Sequence, residues 1–133
     1  TKSYQRMQGL MKSYPNLKGV ISPTSVGIAA GARAIRDAGK SGEILMTGLG
    51  IPSQMREYIK DGTAPQVALW NPVDLGYLVT YITYHLLEGS ITGAPGEEFS
   101  AGRLGDYTID DNGVVLLGPP FVFTKDNVDN FGF

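Results

Sequence analysis

Residues Pro65 to Gly76 read PQVALWNPVDLG, a stretch that combines a strand pattern with a helix start. Its first part, Gln66 to Trp70, is a short apolar run typical of a buried β-strand. Asn71 belongs to the residue types that cap helix N-termini, and the proline after it suits a first helical turn. The stretch therefore predicts a strand that leads directly into a long helix, with the only tryptophan of the chain at the strand's carboxyl end.

Trp70 and Asn71 are candidate ligand-binding residues. In open α/β sheets, ligands bind in the crevice beyond the carboxyl ends of the strands. An indole face beside an amide offers a stacking surface next to hydrogen-bond donors and acceptors, which suits a small polyhydroxylated molecule. Alternatively, Trp70 packs in a core or an interface and Asn71 only caps the helix, and the pattern alone leaves both interpretations open.

Three strand–helix pairs follow an N-terminal amphipathic helix. That helix has apolar residues at helical spacing from Tyr4 to Tyr14 and stops at Pro15. The predicted strands are 17–22, 43–48 and 66–70, and the predicted helices begin at Thr24 or Ser25, Ser53 and Pro72. This alternation predicts an α/β fold: a parallel sheet with right-handed crossovers and helices on both faces.

The last third of the chain changes character. Residues 91–104 are rich in Gly, Ser, Thr and Ala, which predicts a loop or a crossover connection. The run DDNG at 110–113 separates two β-forming segments, 107–109 and 114–117, and therefore predicts a β-hairpin.

The chain end is aromatic. Residues 121–123 can pair briefly as a strand, and the final FGF at 131–133 indicates an end that docks on a part of the protein outside this sequence. We therefore divide the chain into 1–104, with three strand–helix units, and 105–133, a hairpin with a hinge or tail segment.

Length, charge and cysteine content limit the function. The 133 residues amount to one domain or part of a larger one, and we expect an excised piece because the chain opens on Thr1 inside a predicted helix. A net charge of −2 without a basic block argues against nucleic acid or an anionic membrane as partner. The absence of cysteine excludes disulfides and thiolate metal sites. No signal peptide or membrane-spanning run is recognised, which is uninformative in an excised piece.

The sequence offers no set of catalytic residues, so we predict a protein that is not an enzyme and needs no cofactor or metal. The single histidine, His85, falls inside the long helix and is interpreted as a surface or packing residue. The run 110–113 lacks the glutamate spacing of a calcium loop. Gly48-Leu49-Gly50 lacks the third glycine and the lysine of nucleotide-binding loops. Asp74, Arg33 and Arg36 are interpreted as solvated charges on helices.

Several short runs occur in an order that is shared with a known family. They are YPNLKGVI at 14–21 with Pro23, GARAI at 31–35, Ala38-Gly39, the Gly48 turn, YIKDG at 58–62 and NPVDLG at 71–76. In this order they resemble the second lobe of the type I periplasmic sugar-binding proteins. The tail, with DNGVVLLGP at 111–119 and FTKDN at 123–127, resembles the rhamnose-binding proteins of ABC importers and their relatives, the autoinducer-2 binders.

The resemblance implies two α/β lobes that close on a sugar. Carried over position by position, the ligand contacts fall on three strand ends: Pro23, Thr24 and Ser25; Gly50; and Trp70 with Asn71. Gly50 departs from the family pattern, since many pentose and hexose binders have aspartate there. A 6-deoxy sugar such as rhamnose, with its methyl edge, would tolerate that loss and stack on the indole.

The resemblance also implies partners and a location. It predicts ABC permease subunits as partners and a periplasmic or membrane-anchored extracytoplasmic location. The N-terminal lobe and the opening strand–helix–strand of this lobe would be missing, so strand 17–22 would have an open apolar edge that a second copy or a rearranged segment covers. The alternatives are an autoinducer-2 binding protein, or the effector-binding domain of a repressor-family regulator, which would need an N-terminal helix-turn-helix.

Overall fold

The computed structural model describes residues 2–133. The elements are α1 (Lys2–Ser13), β1 (Gly19–Ser22), α2 (Ser25–Asp37), β2 (Leu45–Gly48), α3 (Pro52–Lys60), β3 (Gln66–Leu69), α4 (Pro72–Glu88), β4 (Glu98–Ser100), β5 (Asp106–Thr108) and β6 (Phe121–Thr124), with 3₁₀ turns at Gly102–Leu104 and Val128–Asn130. The chain forms two compact units. Unit 1 comprises the chain up to Leu69 together with Phe121–Phe133, and unit 2 is Trp70–Pro120. The division of the chain at residue 104 stays a prediction.

The strands of unit 1 combine parallel and antiparallel pairs. β1 runs parallel to β2, with Gly19 opposite Leu45, and β3 runs antiparallel to β6. A parallel bridge between Leu49 and Ala68 joins the two pairs. The α/β class with a parallel sheet is therefore confirmed, and so is the short pairing of residues 121–123, which form most of β6.

One face of these strands forms the core of unit 1. Strand side chains alternate between the two faces, and the buried apolar ones are Met46, Val67 and Phe123. Three helices contribute most of the other buried residues of this core, among them Met7 of α1, Ile28, Ala32 and Ile35 of α2, and Met55 and Ile59 of α3. Burial of each large aliphatic side chain contributes about 1.5–3 kcal/mol, so this layer stabilises the unit.

The opposite strand face and the edge of β1 are open. Ile21 is 77% exposed, and Leu45 and Val122 are also exposed. Within residues 2–133, β1 pairs with β2 alone. The open apolar edge that the resemblance predicts is therefore present, and no segment within residues 2–133 is rearranged to pair with it; a second copy covering it stays a prediction.

The predicted elements up to residue 89 agree with the structure to within two residues at each end. The helix boundaries follow from capping. The Thr24 hydroxyl oxygen accepts a hydrogen bond from the Gly27 N–H and begins α2. Gly89, with a left-handed φ of +71°, ends α4 as the sequence predicted.

Unit 2 contains α4, the β4–β5 pair and a small core. The buried residues of this core are Leu78, Ile91, Phe99, Ala101 and Ile109. β4 lies in the segment that was predicted as a loop, and it pairs antiparallel with β5 through the 3₁₀ turn Gly102–Leu104. No helix within residues 2–133 has both the length and the apolar character needed to cross a membrane.

The predicted hairpin is wrong in its partner strand. The tight turn forms, because the Gly113 N–H donates to the Asp110 carbonyl at 2.9 Å. Residues 114–117, however, are not a strand. β5 pairs with β4 instead, where Phe99 and Tyr107 stack with ring centroids 6.0 Å apart. The β-hairpin is therefore β4–β5, and the turn at 110–113 leads out of it.

The aromatic C-terminus docks within unit 1, so the prediction that it docks outside this sequence is wrong. The Phe131 and Phe123 rings lie with centroids 4.9 Å apart. The Arg56 guanidinium donates to the Phe131 carbonyl at 2.6 Å, and the Ser53 N–H donates to the Phe133 carbonyl at 3.0 Å. Apolar contact and backbone hydrogen bonds to α3 together hold the end in place.

Candidate functional site

The carboxyl ends of three strands meet at one edge of unit 1. Ser22 at the end of β1 lies opposite Gly48 at the end of β2. The Gly50 N–H, two residues further, donates to the Ala68 carbonyl of β3 at 3.1 Å. The residues that follow these strand ends are therefore held at the edge where open α/β sheets bind ligands.

Glycine at position 48 permits this convergence. Its φ is +134°, and a Cβ atom there would lie 1.9 Å from the Ser22 carbonyl oxygen. The same oxygen accepts a hydrogen bond from the Leu49 N–H at 3.0 Å. A larger residue would push the ends of β1 and β2 apart, so the Gly48 turn is a steric requirement of the edge.

The first predicted contact segment, Pro23 to Ser25, lies at this edge. Pro23 and Thr24 are exposed, and Ser25 is half-buried. The Ser22 hydroxyl donates to the Thr24 carbonyl at 3.2 Å, which holds the segment in place. The Thr24 oxygen accepts from the Gly27 N–H, and a hydroxyl that accepts one bond still has its own hydrogen to donate to a ligand.

The second predicted contact, Gly50, is buried and has no room for a side chain. A Cβ atom there would lie 2.9 Å from the Met55 Cγ and 3.0 Å from Val67. Its N–H is engaged with β3. An aspartate at this position would have to displace the core, so the missing carboxylate is tied to the packing of unit 1.

The third predicted pair, Trp70 and Asn71, begins unit 2 directly after β3. The indole is 43% exposed, so it is not confined to a core. The Asn71 Oδ1 accepts from the N–H groups of Val73 and Asp74, at 3.0 and 3.4 Å. Its Nδ2 donates to the Asp74 carboxylate at 2.8 Å. The predicted cap is therefore confirmed, and one Nδ2 hydrogen remains for a ligand.

Comparison with known proteins identifies the family. The family profile described as "Periplasmic binding protein domain" matches residues 1–91. A solved sugar ABC transporter protein from Actinomyces odontolyticus ATCC 17982 is 45% identical over 99% of this chain and 42% of its own, with a TM-score of 0.81. The chain belongs to the periplasmic binding proteins of sugar ABC transporters. The resemblance found in the sequence is thus confirmed.

Two further solved structures show how far the similarity extends. An ABC transporter solute-binding protein from Clostridium phytofermentas, solved with bound L-rhamnose, is 36% identical over 97% of this chain and 44% of its own, with a TM-score of 0.82. LsrB from Clostridium saccharobutylicum, solved in complex with AI-2, is 21% identical over 98% of this chain and 44% of its own, with a TM-score of 0.80, and shows the shared fold. The chain spans less than half the length of these proteins. Its relatives are solute-binding proteins and not enzymes, as predicted.

One polar cluster beside Asn71 was not predicted from the sequence. The Arg103 guanidinium donates to the Asp74 carboxylate and lies over the Tyr77 ring, 4.6 Å from its centroid. The interpretation of Asp74 as a solvated charge is wrong, because the carboxylate is paired and its side chain is only 24% exposed. An acidic residue in the first helical turn is a local signal. No local signal pointed to Arg103, which is 29 residues away in a predicted loop.

His85 packs rather than forming part of a catalytic group. One ring nitrogen, Nδ1, lies 2.8 Å from the Ser90 hydroxyl, and the other, Nε2, lies 3.0 Å from the Ser100 carbonyl. The ring also contacts Phe99, with centroids 5.5 Å apart. His85 therefore ties α4 to β4, as the packing interpretation predicted. Residues 2–133 contain no group of three metal-ligating His, Cys, Asp or Glu side chains.

Proposed function

We propose that the full-length protein containing this chain is the solute-binding component of a sugar ABC importer, and that its ligand is L-rhamnose or a similar 6-deoxy sugar. The observation that carries the proposal is Trp70. Its exposed indole directly follows β3, a strand whose carboxyl end meets those of β1 and β2 at one edge of unit 1. Aromatic faces of this kind stack on the apolar side of a sugar ring.

The chemistry of Gly50 favours a deoxy sugar. Many sugar hydroxyls are recognised by a carboxylate, and the packing around Gly50 excludes one at this position. A ligand that presents a methyl group instead of a hydroxyl leaves no hydrogen bond unmade there. We propose that Pro23, Thr24 and Ser25 contact the hydroxyls of the sugar while Trp70 contacts its apolar face.

The relatives support the same ligand class. The Clostridium phytofermentas protein, 36% identical to this chain, was solved with L-rhamnose. By the same comparison we propose that this protein works with the permease subunits of an ABC transporter in an extracytoplasmic location. We propose Pro23 to Ser25, Trp70 and Asn71 as residues that contact the sugar, and Gly50, which is buried, as a residue that acts by leaving no room for a carboxylate.

Calorimetry on the full-length protein tests the proposal. L-Rhamnose, D-ribose, D-galactose and AI-2 are titrated in parallel, and we expect L-rhamnose to bind most tightly. Tighter binding of ribose or galactose would refute the deoxy-sugar assignment, and tighter binding of AI-2 would move the protein to the autoinducer binders. The 133-residue chain alone serves as control and should bind weakly, because it supplies only part of the contacts.

A further inference from the structure

An ion pair reaches the first turn of α4 from a distant segment. The Asp74 carboxylate accepts from the Asn71 amide through one oxygen, Oδ2, and from the Arg103 guanidinium through the other, Oδ1. Asn71 in turn holds the N–H groups of Val73 and Asp74. The three side chains thus form a continuous chain of hydrogen bonds that ends at the residue after Trp70.

Arg103 is itself fixed by its surroundings. Its guanidinium lies over the Tyr77 ring, and the Tyr77 hydroxyl donates to the Tyr81 hydroxyl at 3.3 Å. A Cβ atom on Gly102 would lie 2.6 Å from each of these hydroxyl oxygens. Glycine at this position therefore allows the 3₁₀ turn to approach α4 closely enough for Arg103 to reach Asp74.

We infer that Asp74 and Arg103 are positioning residues, which hold Asn71 and the adjoining Trp70 peptide in the orientation that the ligand needs. The inference rests on the proposed function, in which Trp70 contacts the sugar. Each Asp74 oxygen has a separate partner, so the carboxylate cannot rotate without losing one of them. The orientation of the Asn71 side chain therefore depends on Arg103, which it does not touch.

The exposure of the ion pair separates positioning from stability. The side chains of Arg103 and Asp74 are 51% and 24% exposed, and ion pairs this accessible contribute little to the free energy of unfolding. Loss of the pair should consequently change the geometry of the α4 N-terminus more than the stability of the chain. Arg103→Ala removes the ion pair, Asp74→Asn removes the negative charge and one of the two acceptor oxygens, and Arg103→Lys keeps the positive charge.

The matched control is Arg33→Ala in unit 1. Arg33 also pairs with an aspartate, Asp37, and also lies over a tyrosine ring, Tyr4, at 5.8 Å. It has the same kind of contacts as Arg103 but belongs to the other unit. Effects shared by both variants would reflect the general loss of an arginine.

Two measurements test the inference. In the 133-residue chain Trp70 is the only tryptophan, so acrylamide quenching of its fluorescence reports on this position alone. We expect stronger quenching of Trp70 in Arg103→Ala and Asp74→Asn than in the wild type. In Arg33→Ala the quenching should be unchanged. In the full-length protein, the L-rhamnose Kd should rise about three- to tenfold for Arg103→Ala, with partial recovery in Arg103→Lys, because misplaced contacts lose part of their binding energy.

The outcomes are distinguishable. Unchanged quenching and unchanged Kd in Arg103→Ala and Asp74→Asn would overturn the inference, and so would equal effects of Arg33→Ala. Changed quenching without any sugar binding by the wild-type protein would support the positioning role and refute the proposed function. If Arg103→Ala does not fold, the same two measurements on Asp74→Asn test the inference.

Discussion

Unit 1 and unit 2 are each stabilised by a different kind of interaction. Unit 1 has an extensive core of apolar side chains from α1, α2, α3 and one strand face. Unit 2 has a small core, and its irregular segments are fastened by carboxylates: Glu97, Asp110 and Asp74 each accept hydrogen bonds from loop or turn groups. Unit 1 thus depends mainly on apolar packing, whereas in unit 2 backbone hydrogen bonds lower the pKa of Glu97 and of Asp110 and make the segments around them sensitive to pH.

Both units expose large apolar residues, among them Ile21 in unit 1 and Val79, Leu87 and Leu116 in unit 2, but unit 2 has the smaller core. A unit that buries little of its apolar surface gains little free energy from packing. We therefore expect substitutions in the core of unit 1 to have the largest effects on stability.

The largest effect is expected for Phe123→Ala. Phe123 is 2% exposed and contacts the rings of Phe121, Phe131 and Phe133. Its removal should lower the free energy of unfolding by about 3–5 kcal/mol, measured by urea denaturation. The control Phe121→Ala, at a half-exposed position, should cost far less. A larger loss from Leu78→Ala, in the core of unit 2, than from Phe123→Ala would reverse the comparison.

The second effect concerns the strand ends. Gly48→Ala should destabilise unit 1 by about 3 kcal/mol, because it combines a steric clash with an unfavourable backbone angle. Gly76→Ala, in α4 where no atom lies within 4 Å of the added carbon, should be neutral or stabilise by about 0.5–1 kcal/mol. Thermal unfolding of both variants measures the difference. Equal stability of the two would show that the convergence at Gly48 is not needed.

The third effect is on binding. Trp70→Ala in the full-length protein should weaken L-rhamnose binding by about 1–3 kcal/mol, because the stacking surface is lost. Phe133→Ala removes another exposed aromatic, in unit 1, and should leave affinity unchanged. Calorimetry provides both values. Unchanged affinity for Trp70→Ala would show that Trp70 has a structural role and does not stack on the sugar.

The smallest effect is a pH dependence confined to unit 2. The Thr92 N–H, with further bonds from the Thr92 hydroxyl and the Gly93 and Ala94 N–H groups, holds the pKa of Glu97 below its ordinary value of 4.5. Because the pKa is lowered on folding, this stabilisation is complete above pH 4.5 and is lost as the pH falls through the folded value. Amide exchange at Thr92 to Ala94, corrected for intrinsic rates, should therefore accelerate in acid.

Glu97→Gln provides the control for that experiment. The neutral side chain should give amide protection that no longer changes in this pH range. Identical pH profiles for the variant and the wild type would show that the carboxylate does not fasten the loop. The same acidification should leave the core amides of α2 protected, since that helix is held by apolar packing.

Much of unit 1 could be predicted because its signals are local. Helical spacing, the Thr24 and Asn71 caps and the Gly89 stop each act within a few residues, and the structure retains them. The α/β class follows from that alternation. The strand ends that carry the predicted site residues were placed correctly for the same reason.

The features that could not be predicted depend on contacts between residues that are distant in sequence. β4 has no strong local pattern and forms because Phe99 packs on Tyr107, whereas Val114 to Leu117 have strong β propensity but no available partner strand. The Asp74–Arg103 pair joins residues 29 positions apart. The packing that fills the space beside Gly50 is likewise a tertiary contact. The sequence therefore shows that a glycine is present but not that its surroundings exclude a side chain.

The indole N–H signal of Trp70 in the ¹H–¹⁵N spectrum of the full-length protein shows whether the strand ends contact a sugar. The signal is assigned by its loss in Trp70→Phe, and L-rhamnose is then added. We predict a saturable shift of this signal together with the Thr24 amide, at concentrations that match the calorimetric affinity. Saturating L-rhamnose that leaves both signals in place would contradict the claim that these strand ends form part of a sugar site.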